Sequence, residues 1–126
     1  MAETFTGGCK CGRVSYSGTR AEATMFRCYC RDCQQLTGAG HAEMVPLRAE
    51  GFEITGTYRT YQMTGGSGQA TWSGFCGECG APLTRQSARN AGTIYVHAGS
   101  LHDPSRYAPE RQICKDSAQP WDRPAR

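Results

Sequence analysis

Eight cysteines in 126 residues are the chemistry-bearing feature of this chain, and seven fall into tight groups. Cys28, Cys30 and Cys33 form a Cys-x-Cys-x-x-Cys trio in "FRCYCRDCQQLTG". Cys9 and Cys11 form a Cys-x-Cys in "CKCG", and Cys76 and Cys79 a Cys-x-x-Cys in "FCGECG". Glycine-flanked pairs of this kind are metal knuckles: a tight turn aims both sulfurs at one ion, and nearby backbone amides stabilise the thiolates. Residues i and i+2 of an extended strand share a face, so a strand would let Cys9 and Cys11 do the same. The two pairs together make a closed Cys₄ set, the structural form of zinc. The trio offers three ligands and an open position, which is how a catalytic zinc is arranged. The open position would take water at rest and an exogenous sulfur in use. Closing the trio with the eighth cysteine, Cys114, is the competing reading.

The chain carries no basic leader followed by an apolar stretch, and no apolar run approaches the roughly 18 residues of a membrane span. A cytoplasmic, reducing setting is expected, where grouped cysteines signal metal before disulfides. The formal charge is +3. Seven thiolates on two zinc ions would cancel it, and with it most of the electrostatic case for nucleic acid. Twelve of the fourteen cationic side chains are arginine, the better bidentate partner for carboxylates.

The elements that must position these cysteines read as short strands. "RVSYSG" (13–18) alternates as a half-buried strand does, and "ATMFRCYC" (23–30) leads into the trio. "DCQQLTG" (32–38) predicts one or two helical turns, with Asp32 as N-cap and Gly38 as stop. "HAEMVPL", "FEITG", "PLTRQ", "TIYVHAGSL" and "RQICK" are further strands. "YRTYQM" and "QATWSGF" form a hairpin around the turn "TGGSG" (64–68). "HDPSRY" starts a turn or short helix, and the tail is expected to fray beyond Trp121. About eight strands and no crossover helix predict a mainly β fold with antiparallel pairing around a Cys₄ zinc site. We expect a single domain over 1–126, with an ordered core of about 5–121.

The ordered pattern CxC, CxCxxC, FCxxCG and a terminal I-x-x-x-S-x-x-P-W resembles the glutathione-dependent formaldehyde-activating enzyme family, also called the centromere protein V family. The resemblance runs from Gly8 to Trp121. It implies an Mss4-like fold, a structural zinc on Cys9, Cys11, Cys76 and Cys79, and a catalytic zinc on Cys28, Cys30 and Cys33. It also implies a carbon–sulfur lyase-type reaction in which a small thiol, glutathione in the named activity, joins formaldehyde. In this family an apolar or aromatic residue usually stands where this chain has Cys114, which makes Cys114 a small hydrophobe in a strand. A histidine often stands where this chain has Gln112.

Other residues weigh less. Arg31 with Gln34 or Gln35 could meet a glutathione carboxylate, or be plain helix surface. His41 reads as a structural hydrogen-bonding residue, Trp121 as a packing anchor, and His97 and His102 carry no assigned role. Two other classes fit less of the pattern. One is a non-catalytic zinc or thiol module that binds a partner. The other is a methionine sulfoxide reductase B, which "RQICKDSA" faintly resembles but whose two CxxC pairs would leave the trio unexplained. Neither nucleic acid nor membrane is expected as a partner.

Overall fold

The computed structural model describes residues 3–123. It is mainly β, with ten strands in two sheets and one α-helix. The strands are β1 (Thr4–Gly8), β2 (Ser15–Thr19), β3 (Phe26–Cys28), β4 (Ala42–Arg48), β5 (Glu53–Thr55), β6 (Tyr58–Thr64), β7 (Ala70–Cys76), β8 (Pro82–Ser87), β9 (Thr93–His97) and β10 (Arg111–Ile113). The small sheet has the order β1-β2-β5, and the large one β10-β3-β4-β9-β8-β7-β6.

Alternation along the strands of the large sheet produces two apolar layers. Val45, Val96, Ile94 and Leu83 face the small sheet and pack with Phe5, Val14 and Tyr16 into the main core. The opposite face buries Cys28, Ala42 and Met44, with Phe26, Tyr95 and Ile113 against them. Residues paired in register share a face. Cys28 pairs with Ala42 and Phe26 with Met44. Met44 pairs with His97 and Tyr95 with Arg85. One face of the sheet therefore carries Cys28, Met44, His97, Tyr95 and Arg85 together.

The hairpin expected around residues 64–68 forms between β6 and β7. Its turn is closed by the Gly65 amide donating to the Gln69 carbonyl at 2.8 Å. Pairing is antiparallel throughout with one exception: β10 runs parallel to β3. No helix is needed for that crossover, because the whole sheet lies in the chain between the two strands. "ATMFRCYC" contributes a strand only over Phe26–Cys28. "RQICK" contributes one over Arg111–Ile113, so Cys114 lies beyond its end.

The α-helix α1 (Arg31–Thr37) is seven residues long and covers the Cys28 face. Its N-cap is Cys30 rather than Asp32: the Cys30 sulfur accepts from the Cys33 amide at 3.4 Å. Gly38 ends it in the left-handed region, at φ 75. A helix this short has little stability of its own, and buried Gln34 pins it. The Gln34 amide nitrogen donates to the carbonyls of Tyr29 at 2.7 Å and Ser117 at 3.0 Å.

Just past Trp121, Asp122 contacts the body of the fold. His41 sits between Asp122 and Glu43, with Nδ1 2.5 Å from Asp122 Oδ2 and Nε2 2.8 Å from Glu43 Oε2. Trp121 is 72% exposed, not a packing anchor. Residues 124–126 of the tail expected to fray lie outside the described residues. Among the described residues no helix is long and apolar enough to cross a membrane.

Candidate metal centres and their pocket

The sulfurs of Cys9, Cys11, Cys76 and Cys79 all lie within 4.8 Å of one another. Cys9 and Cys11 sit in the turn between β1 and β2, not on an extended strand as the Cys-x-Cys spacing suggested. Gly12, at φ 81, lets the chain double back so that the Val14 amide donates to the Cys9 sulfur at 3.2 Å. Cys76 closes β7, and the following turn brings the amides of Glu78 and Cys79 to its sulfur at 3.3 and 3.4 Å. These amides, that of Cys79 foremost, pull the Cys76 thiol down to about 6 even though burial opposes ionisation. Cys79 is lowered too, whereas Cys11 is pushed up, so the cluster favours thiolate at the Cys76–Cys79 turn first.

The distances also fit zinc. Tetrahedral zinc–sulfur bonds of about 2.3 Å put sulfurs about 3.8 Å apart. Here Cys9 and Cys11 are 3.6 Å apart, and Cys11 and Cys76 are 3.7 Å apart. A metal in this cluster would tie the first turn of the small sheet to the end of a strand in the large one.

The second cluster joins Cys28, Cys30 and Cys33, again with sulfurs within 4.8 Å of one another. Cys28 ends β3, Cys30 caps α1 and Cys33 lies in its first turn. The strand-to-helix corner is what brings the three sulfurs together. Hydrogen bonds from Cys28 and Cys33 hold the Cys30 thiol well below its ordinary range, and the reciprocal bonds push Cys28 up. Of the three, Cys30 is thus the thiol that ionises most readily. No fourth histidine, cysteine or carboxylate joins the trio among the described residues.

The trio stands on the wall of an open cavity of about 750 Å³. Met44, Phe26 and Tyr95 give it an apolar side, Arg85 and Arg89 a cationic one, and Gly65, Gly66 and Ser67 of the β6–β7 turn rim it. Cys114 lines this same cavity. It is exposed, in the left-handed region at φ 56, so it is neither a strand residue nor a packed hydrophobe. Its sulfur lies outside the 4.8 Å cluster of the trio.

The residues flanking the trio divide, and His41 is the structural hydrogen-bonding residue expected. Gln34 is buried and spent on backbone carbonyls, and its Oε1 accepts from Arg31. Gln35 does not line the cavity. Gln112 accepts from the Tyr29 hydroxyl at 3.0 Å. His41 and His97 lie on a separate cavity of about 620 Å³, with His102. The residues that spacing did not single out are Arg85 and Arg89. Arg85 Nη1 approaches the Cys33 sulfur at 3.7 Å from a strand more than fifty residues away. The only available signal was the position of Arg85 within the alternating segment "PLTRQ".

A comparison with curated proteins finds no match. Among solved structures, the crystal structure of a Rhodobacter sphaeroides protein is similar, with a TM-score of 0.65 and 23% identity. The alignment covers 86% of this chain and 99% of that one, and at this identity it bears on the fold alone. The family model described as glutathione-dependent formaldehyde-activating enzyme matches residues 4–117 and so spans both cysteine clusters. The chain belongs to the glutathione-dependent formaldehyde-activating enzyme family.

Proposed function

We propose that this chain is a zinc enzyme of the carbon–sulfur lyase type that joins a small thiol, such as glutathione, to formaldehyde or a related electrophile. The observation that carries the reading is the contrast between two clusters: a complete four-sulfur set of which Cys9 alone lines a cavity, and a three-sulfur set standing whole on the wall of the other. In this reading Cys9, Cys11, Cys76 and Cys79 hold a structural zinc, and Cys28, Cys30 and Cys33 a catalytic one. The whole chain acts as one unit. Its eight unpaired cysteines suit a reducing, cytoplasmic compartment.

Zinc at the trio would keep a thiol deprotonated at neutral pH. The protein does the rest. Its cavity admits the thiol, and Cys28, Cys30 and Cys33 leave one side unfilled towards that cavity. Met44, Phe26 and Tyr95 give the thiol's carbon chain an apolar surface to lie against. The sulfur lone pair forms a bond to the carbonyl carbon and the C=O π pair moves to oxygen. That oxygen takes up the proton the thiol gave away, so no oxidant or reductant is consumed.

Zinc stoichiometry combined with glutathione titration tests this. Two zincs are expected, with glutathione perturbing one. Cys33→Ser should lose one zinc together with the formaldehyde-dependent rate above the uncatalysed background. A variant that loses the zinc and keeps that rate would remove the trio from the mechanism.

A further inference from the structure

Three arginines line the cavity of the trio, against a single acidic residue, Asp32. Arg31 is exposed on α1 and has an oxygen acceptor of its own, Gln34 Oε1. Arg85 and Arg89 are not paired with any carboxylate among the described residues; Arg48, Arg59 and Arg111 are not either, but none of those three lines the cavity. Arg85 is under-satisfied. Its contact is a long one, from Nη1 to the Cys33 sulfur, and its Nε is buried without an acceptor. Only one other buried side-chain nitrogen or oxygen among the described residues lacks a partner. A guanidinium taken partly out of water with one long sulfur contact and no oxygen acceptor is costly, and a bidentate carboxylate is the anion that best fills its fork.

Placement adds direction. Arg85 lies on β8, on the sheet face that carries Cys28 and Met44, so its charge is at the sulfur end of the cavity. Arg89 is exposed in the 3₁₀ turn Ala88–Asn90, which starts where the Ser87 hydroxyl accepts from the Arg89 amide at 3.2 Å. That cap hangs Arg89 at the rim. The two cations thus mark an inner and an outer position along one wall. The β6–β7 turn adds only the small residues Gly65, Gly66 and Ser67 to the lining.

We propose that Arg85 and Arg89 are the specificity-determining residues of this site and bind carboxylate groups of an anionic thiol, Arg85 near the sulfur and Arg89 at the mouth. The proposal rests on the thiol-binding reading above and assigns the anion contact to β8 and its following turn rather than to α1. A thiol without a carboxylate gains nothing from this wall.

Calorimetric titration of the zinc-loaded protein tests it with three probes: glutathione, its diethyl ester and S-methylglutathione. Each charge-assisted carboxylate contact supports a change of about tenfold in affinity. Glutathione should bind the unaltered protein at least about tenfold more tightly than the diester. Arg85→Gln and Arg89→Gln should each shrink that preference while zinc content stays the same. S-methylglutathione should bind more weakly than glutathione and lose that binding in both variants. Equal affinity for acid and ester, an unchanged preference in both variants, or no binding of any probe would overturn the proposal. Because Arg89 is exposed, its variant remains informative if Arg85→Gln fails to fold. Should glutathione and S-methylglutathione bind equally, and both better than the diester, the carboxylate anchor stands and the thiol-binding reading falls.

Discussion

His97 should make this protein lose stability in mild acid, well before its carboxylates titrate. The imidazole is 7% exposed and its Nε2 has no hydrogen-bond partner. Burial, reinforced by the positive charge of Arg85, pulls its pKa from 6.5 down to about 4. The unfolded chain therefore takes up a proton near 6.5, and the folded one only near 4. Between those values the unfolded state binds more protons, so stability falls as pH falls. The contribution is fully present above 6.5 and gone below 4. From pH 7.5 to 5.5 the linkage integral gives a loss of about 1.3 kcal/mol, and any folded pKa about two units or more below 6.5 gives nearly the same value. The assay is urea unfolding at both pH values for the unaltered protein and His97→Phe. The variant changes absolute stability, but the readout is the difference between the two pH values. Metal loss in acid affects both proteins alike and cancels. If both proteins lose the same stability over this window, His97 is not held neutral by burial and the reasoning is wrong.

Two further outcomes follow from the same structure. Cys76→Ser should reduce metal content by one ion and destabilise the fold by several kcal/mol, because it breaks the tie between the β1–β2 turn and β7. Metal analysis with thermal unfolding checks this, and a metal-depleted variant of unchanged stability would refute it. Glu43 accepts from Arg27 at 2.8 Å and Tyr107 at 2.6 Å; burial raises its pKa, but these bonds outweigh burial and leave it lowered. Glu43→Gln should cost about 1–3 kcal/mol at neutral pH. The gap to the unaltered protein should close as pH falls below about 4.5 through the depressed pKa.

Much of the site was legible because metal ligation is a local property of the chain. The groups 9/11, 28/30/33 and 76/79 each close within a turn or a strand-to-helix corner, so spacing alone implied converging sulfurs. The β6–β7 hairpin was equally legible, since "TGGSG" supplies the turn and its flanks alternate. Less visible was the helix cap. Cys30 takes the role that Asp32 promised on propensity, because the corner that assembles the trio also aims the Cys30 sulfur at the helix amide. Cys114 misled for a related reason. "RQICK" has strand composition, but β10 ends at Ile113 and the chain turns through a left-handed residue.

The sequence by itself determined the mainly β class, the membership of the two sulfur clusters and the family. These rest on residue types, short spacings and periodicity, which act over a few residues. Only the tertiary structure decided which cluster stands whole on a cavity wall and what else stands there. Arg85 reaches Cys33 across fifty-two positions because β3, β4, β9 and β8 lie side by side. Arg89, Met44, Tyr95 and Cys114 join the same wall from elements whose adjacency is set by strand order, including the one parallel pair. Strand order arises from burying both faces of one sheet at once, a condition on the whole chain that no short segment expresses.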